Sequence, residues 1–590
     1  MIQLLGQAGA HATRLDTACA NGAQTITQQG FLNLAHCKAK SHAEGGWQVL
    51  LWGDLRWQDK PQLEPLPELI RRFRAQGSAA LDRALGHFRL LVSDAESRQL
   101  WLAIDRTGIQ ALYYSQIDGD LSFASHLRPL IKALPRTARI NPQAIYNYLY
   151  FHMIPSPDTV YQDCYKLEPG HVLHWQDGKL SKQNYFTPAF RHNGQKTAET
   201  AKRRLLPILE AAVSRQAING HTGAFLSGGL DSSTVAGVLA KVSPKAPPTF
   251  NIAFDQERYD ESPWARLSAA HFHTRHHEYR LQPDEALAML PTIAQYGDEP
   301  FGNSSALPTY FCAKVAREQG IPLLLAGDGG DELFAGNTRY AKQKLFEPYV
   351  RMPGGIKSIT ESILNIDSDA RWPGPFGKLQ SYIRQANVPL PDRLQSYNFL
   401  HLNAPEKVFS RELLSAVDQE YPLHIWRQRY QEAKADHPVD AMLYLDWKFT
   451  LADNDLVKVR SMCELAGIDV AFPMLDDELI QLSLQVTAND KLPGQKLRAF
   501  YKDAVKGFLP DATLNKSKHG FGLPFGMWLK EHEGLRELVH AKLSALQQRE
   551  WLSPAFVLDA KRQHEQGHAS FYGELVWLML VLELWLEAHG

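Results

Sequence analysis

Three short segments of this 590-residue chain carry residue types suited to handling a nucleoside triphosphate. In Ser227-Gly228-Gly229-Leu230-Asp231-Ser232-Ser233, small residues let the backbone approach an anion, and N–H groups and hydroxyls can donate to it. The N-terminus of the helix that follows adds partial positive charge. No lysine of the Walker kind is present, so the loop suits holding a released pyrophosphate and not positioning a γ-phosphate for transfer. An SGG turn alone is an ordinary connection, but here it follows the strand-like Ala224-Phe225-Leu226 and precedes a helical run from Thr234 to Leu239. The second segment, Gly327 to Glu332, places Asp328, Asp331 and Glu332 just after the apolar Leu323-Leu324-Leu325, where Asp231 could face them. Paired carboxylates beside a triphosphate commonly hold Mg²⁺. In the third, Lys516 to Pro524, a lysine entering a phosphate site could neutralise charge building on the leaving group. Taken alone, that third segment is an ordinary basic surface loop.

These segments need a scaffold, and the chain changes texture to supply one. From Trp47 to about Phe186 short apolar or alternating runs such as Val49-Leu50-Leu51-Trp52 and Leu100 to Ile104 alternate with turns at Asp118-Gly119 and Asp177-Gly178. This predicts an α+β or β-sandwich unit over residues 1–190. The polar stretch Arg191 to Thr200 reads as a linker, followed by a helix from about Lys202 to Gln216. A second unit, 200–590, alternates strand, glycine-bearing loop and helix. That predicts an α/β fold with a parallel sheet whose ligands gather at the carboxyl ends of its strands. After about Ala341 the periodicity is mostly helical. The longest apolar run, Leu575 to Leu582, is too short to span a bilayer and reads as a buried C-terminal helix broken by Glu583 and Glu587.

Composition narrows the partners. With 63 basic against 64 acidic residues, nothing advertises a nucleic-acid or anionic-membrane surface, so a nucleotide must be held by a local site. Five cysteines without a CxxC pair fit free thiols in a reducing compartment, and Met1 to Ala20 shows no secretory signal; a cytoplasmic protein is expected. His271, His273, His276 and His277 lack the spacing of a zinc site and read as structural or surface residues.

Together the three segments resemble the glutamine-dependent asparagine synthetase family. Leu226 to Ser233 is similar to its pyrophosphate loop, Asp298-Glu299-Pro300 to its DEP segment, and Ala326 to Tyr340 to its SGEGxDExFxGY stretch. Asp455-Leu456-Val457-Lys458, Pro473-Met474-Leu475-Asp476 and Lys518 to Pro524 follow in matching order. The resemblance implies an N-terminal nucleophile-hydrolase-like, class II glutamine amidotransferase-like domain. It is followed by a synthetase domain of adenine-nucleotide alpha hydrolase type, an N-type ATP pyrophosphatase, with a helical C-terminal part. It implies that ATP adenylates a carboxylate, releasing pyrophosphate, before an amine attacks. By the same resemblance Leu226, Ile252, Ala326 and Gly327 line the nucleotide, and Ser227, Gly228, Gly229, Asp231, Ser232 and Ser233 hold ATP or pyrophosphate. Asp231 and Asp331 ligate Mg²⁺, Lys518 stabilises developing charge, and Asp328 stands one methylene short where synthetases have a catalytic glutamate.

The resemblance also breaks in places. Gly86-His87-Phe88, Asp105-Arg106-Thr107-Gly108 and Tyr113-Tyr114 look like the GxFAF and RDxxGxKPLYY stretches of the glutaminase half, but that chemistry needs Cys at position 2, which is Ile2. No HRGPD-like segment precedes Trp47, and Trp52-Gly53-Asp54 replaces an Asn-Gly-Glu turn. Cys19 and Cys37 cannot place an N-terminal amine beside a thiol. Across the family's KVDRxSMxxSLExRVPFLD stretch an acidic residue becomes Arg460 and arginines become Ser461 and Ala471, and losing those arginines weakens the case for a small diacid. The expectation is therefore an AMP-forming carbon–nitrogen ligase without glutaminase activity, best matched by a lasso-peptide-type macrolactam cyclase. Such an enzyme would take a precursor peptide as carboxylate substrate and work beside a partner protease. An asparagine synthase using aspartate and free ammonia, and an inactive scaffold or regulator, are the alternatives; a homodimer is left open.

Overall fold

The computed structural model describes residues 3–9, 25–29, 31–190, 195–218, 220–364, 366, 372–517, 522–566 and 569–590. Two six-stranded antiparallel sheets fill the N-terminal part. Period-two alternation decides which side chains meet. Leu50, Trp52, Leu91 and Leu102 of one sheet meet Leu34, Leu121 and Phe123 of the other between the layers. Their neighbours Val49, Leu51, Leu90 and Val92 turn outward onto Leu69, Ile70 and Phe73 of the helix Pro65–Gln76. The other sheet buries Leu5, Ala35 and Tyr113 against Ile145 and Leu149 of the helix Pro142–Phe151. Strands Leu4–Ala8, Thr25–Gln29 and Leu32–His36, upstream of the stretch expected to be strand-rich, belong to this sandwich.

The second unit opens with helix α1 (Gln195–Gln216), which begins inside the segment expected to be a linker. Strand β1 (Thr222–Phe225) leads through the Ser-Gly-Gly loop into α2 (Leu230–Val242). Then follow β2 (Pro248–Ala253), α3 (Ser262–Phe272), β3 (Arg275–Arg280) and β4 (Leu323–Leu325). The helix α4 (Pro438–Asp446) continues as a π-helix, Trp447–Asp455, and then as α5 (Leu456–Ala466), before the edge strand β5 (Asp469–Ala471). The strands are parallel in the order β3-β2-β1-β4-β5. Chain order reverses between β1 and β4, so the loops after those two strands flank the crevice where open α/β sheets take ligands. The C-terminal helix α6 (Ala569–His589) runs through Glu583 and Glu587 and is not broken there: buried Glu583 accepts from Arg549 Nε at 2.7 Å and Nη2 at 2.9 Å. Among the described residues no helix is long and apolar enough to cross a membrane.

The two parts are locked by groups of the DEP and PMLD segments. Asp298 accepts from the Leu127 N–H at 2.9 Å, and Glu299 accepts from the Val160 N–H at 2.9 Å and from Lys166 Nζ at 2.7 Å. Asp477 accepts from the Gly86 N–H at 2.6 Å, and His87 Nε2 hydrogen-bonds the Leu475 carbonyl at 2.9 Å. Burial pushes the Glu299 carboxyl up while Lys166 opposes that shift. Glu299→Ala would leave the Lys166 ammonium buried without its partner. The expected outcome is a loss of about 3 kcal/mol of stability, read as an earlier denaturant-unfolding transition.

Candidate functional site

The loop after β1 is preorganised by its own serines. Ser232 Oγ accepts from the Ser227 N–H at 3.2 Å and lies 2.9 Å from Ser227 Oγ, which accepts from the Gly229 N–H at 3.3 Å. Gly228 has φ +69°, and a Cβ there would sit 2.5 Å from the Ala265 nitrogen of α3, so only glycine fits. The loop after β4 presses onto the first turn of α2: a Cβ on Gly327 would lie 2.7 Å from the Ser232 nitrogen. Between them opens a cavity of about 740 Å³, lined by Leu226, Ser227, Gly229, Asp231, Ser232, Ile252, Gly327, Asp328 and Asp331, among others. Three predicted residues serve this wall from behind. Gly228 makes the turn, Ala326 is buried, and the Ser233 hydroxyl points away to Ser268 Oγ at 3.0 Å. Lys518 lies outside the described residues. Its neighbour Lys516 lines the cavity, donates to Glu261 at 2.7 Å and stands 5.7 Å from the Trp264 ring.

Asp231 and Asp331 do approach each other, and a residue outside the predicted set joins them. Arg498 donates from Nη1 to Asp231 Oδ2 at 3.0 Å and to Asp331 Oδ1 at 2.7 Å, and from Nη2 to Asp231 Oδ1. Its side chain is 3% exposed, its backbone has φ +59°, and its guanidinium lies 4.3 Å from the Tyr501 ring. Arg498 sits in Lys491 to Phe500, a stretch whose sequence has no pattern that separates it from a surface turn; only the fold carries it to the crevice. Burial opposes the Arg498 charge, yet the two carboxylates hold it firmly protonated.

On the opposite wall the end of the π-helix supplies Asp455 and α5 supplies Lys458, paired at 2.8 Å. Burial pushes the Asp328 carboxyl up to about 6, with Lys458 opposing and Asp455 and Asp231 reinforcing. Burial, then the Asp331 and Asp455 charges, push Glu332 well above the usual carboxylate range. Such crowded acids suit a ligand that arrives with a cation. Asp231 and Asp331 are 21% and 31% exposed and both line the cavity. Among the described residues no cluster of three or more ligating side chains exists. The donor set fits Mg²⁺, which takes one or two carboxylates and completes its shell with phosphate and water.

A family model described as asparagine synthase matches residues 204–587, most of the chain. The chain belongs to the asparagine synthase family. It is an ATP-dependent ligase, with a parallel sheet behind the nucleotide loops and a match to a glutamine amidotransferase domain over residues 67–186. The glutamine-hydrolyzing asparagine synthetase 1 of Bacillus subtilis is 25% identical over 525 residues, covering 88% of this chain and 80% of that protein. A putative glutamine-hydrolyzing asparagine synthetase 2 of Methanocaldococcus jannaschii is 27% identical, covering 68% of this chain and 77% of that protein. The similarity extends to a protein named amidase chry2 of Gibberella zeae, 23% identical, covering 85% of this chain and 79% of its own.

In this asparagine synthase-family chain the amidotransferase half carries a buried cation beside the start of its first strand. Arg89 stands where the GxFAF stretch has alanine. Its Nη2 donates to Gln3 Oε1 at 2.9 Å and Gln110 Oε1 at 3.1 Å, and its guanidinium lies 5.3 Å from the Trp52 ring. Burial, with Arg460 adding repulsion, pushes Arg89 down to about 9. Ile2 and Cys19 lie outside the described residues; Cys37 is buried. Arg89 was legible in the sequence as a charge inside an apolar strand, a signal the motif comparison passed over. For the nucleotide cavity, Asp331→Asn removes one charge from the Arg498 clamp and one ligand for a cation. ATP affinity measured calorimetrically in Mg²⁺ should fall by about tenfold or more, with an unchanged circular-dichroism spectrum.

Proposed function

We propose that this ligase adenylates a carboxylate of a peptide and joins it to an amine of the same peptide, as a macrolactam cyclase of lasso-peptide type does, without glutaminase activity of its own. The observation that carries this reading is the contrast between the two halves: a cavity lined by the Ser-Gly-Gly and Gly-Asp-Gly-Gly-Asp loops, and an amidotransferase half in which Arg89 is buried against Gln3 and Gln110. In the proposed reaction a substrate carboxylate oxygen attacks the α-phosphorus of ATP and the bond to the β-phosphate bridging oxygen breaks. Pyrophosphate leaves onto the Ser227–Ser232 loop at the N-terminus of α2, whose shape the Ser227 and Ser232 bonds hold. An amine then attacks the acyl-adenylate, loses a proton, and AMP departs. Asp231 and Asp331 would hold Mg²⁺, which would supply charge neutralisation at the phosphates. Lys518, by its place in the family pattern, and Lys516, by its place on the wall, would meet the charge on the leaving group.

Ammonia from glutamine has no source in this scheme. A nucleophilic thiol at position 2 is replaced by Ile2, and the Arg89 guanidinium occupies the space next to Gln3. A cytoplasmic enzyme working beside a protease that trims the peptide, with a homodimer as one assembly, completes the reading.

Exchange of labelled pyrophosphate into ATP, with aspartate and with candidate precursor peptides, tests it. Exchange supported by a peptide and not by aspartate is expected; exchange with aspartate alone would replace the cyclase reading by asparagine formation from ammonia. Incubation with glutamine should release no glutamate, and release at a rate linked to turnover would defeat the second claim. The exchange rate should fall as pH drops through about 6, because protonation removes the Asp328 charge that faces Lys458. Asp328→Asn should lower the rate throughout and flatten that acid limb.

A further inference from the structure

A second cavity, of about 310 Å³, opens on the far side of the π-helix from the nucleotide. The π-helix and the first turn of α5 form a wall common to both spaces. Phe449, Thr450 and Asn454 face the second cavity, whereas Asp455 and Lys458 face the first. Such π-helical segments are rare and gather at functional sites. The two spaces also touch through one hydrogen bond, since Asn303 on the nucleotide side donates to Asn454 Oδ1 at 2.7 Å.

The floor of this groove is aromatic. Phe151, Trp426 and Phe449 form a mutual cluster with ring centroids 4.8–5.9 Å apart. The one arginine of its lining, Arg339, is already committed: it donates to Asp446 from Nε at 3.1 Å and from Nη2, and to Thr450 at 3.0 Å. That leaves Arg339 a poor anchor for a small dicarboxylate; Asn398 is engaged as well, donating to the Tyr150 carbonyl at 2.9 Å, and Glu574 lies 3.6 Å from His152 Nδ1, so the aromatic floor is what this lining offers a ligand. At the mouth Tyr397 is 69% exposed and leans on the helix Gly374–Asn387 through a bond from its hydroxyl to Gln385 at 3.0 Å. That helix carries Phe376, 59% exposed, on its outer surface.

We infer that this groove seats an uncharged, aromatic or aliphatic segment of the peptide whose carboxylate is adenylated across the π-helix. The inference rests on the adenylation reading and adds to it the part of the substrate remote from the reacting carboxylate. An apolar body in the groove and a carboxylate near Asn303 place the binding energy away from the reacting atoms. That arrangement selects a peptide over a free amino acid.

The probe is N-acetyl-phenylalanyl-phenylalanine amide, which has no carboxylate and so reports the groove alone, titrated into the full chain by calorimetry. Saturable binding by the wild type is expected, weakened about tenfold in Tyr397→Asp and in Phe399→Ala, the latter another residue of the groove's lining, with ATP affinity unaltered in both. Tyr397 is exposed, so its replacement leaves the core intact, and thermal melting confirms that each variant is folded. Absence of saturable binding to the wild type, or equal affinity in both folded variants, overturns the groove. Pyrophosphate exchange run on the same samples separates the two claims. Exchange without dipeptide binding defeats the groove only, and dipeptide binding with no exchange for any acid defeats adenylation only.

Discussion

Two aspartates of like charge on neighbouring loops must be held side by side, and one guanidinium does this. Arg498 bridges Asp231, on the first turn after β1, and Asp331, beyond β4. Without it the two like charges would repel across the crevice and the loops that carry them would separate. A buried ion triad of this kind is costly to desolvate and gains little net stability, but removing one member leaves an uncompensated charge. Its value here is geometric: it fixes the spacing of the two carboxylates on the wall of the cavity. The left-handed backbone at Arg498 and the Tyr501 ring beneath it hold the clamp in turn.

The segments that resemble this family's motifs do two kinds of work in the chain. The Ser-Gly-Gly and Gly-Asp-Gly-Gly-Asp segments build the nucleotide crevice. The Asp298-Glu299-Pro300 and Pro473 to Asp477 segments instead grip the antiparallel sandwich, through Leu127, Val160, Lys166, Gly86 and His87. That division gives the amidotransferase half a structural reason to persist. Removing the sandwich would strand Asp298, Glu299 and Asp477, three acids whose backbone and lysine partners all lie in it. The half is thereby held as part of the fold, and Arg89 is buried within it beside Gln3 and Gln110.

The sequence by itself determined the parts set by local chemistry. The strand, glycine loop and helix around Ser227 were legible because φ > 0 at Gly228 and an anion-facing turn demand small residues there, and the parallel sheet followed from alternating strands and helices. The change in position 2 was legible because a nucleophile is a single atom type. Local reading misjudged two places where tertiary contacts overrule it. Glu583 does not end the C-terminal helix because Arg549, distant in sequence, neutralises it. The polar run before Lys202 is helical from Gln195.

Only the tertiary structure decided which groups share a space. Strand order put the β1 and β4 loops at one switch point, turned Ser233 and Ala326 away from the cavity, and brought Arg498 in from over 260 residues beyond Asp231. It also laid the π-helix between two cavities. The physical reason is that residue type and spacing encode what a segment can do, whereas the partner of a charge or an aromatic face is fixed by packing between segments that have no sequence relation to each other.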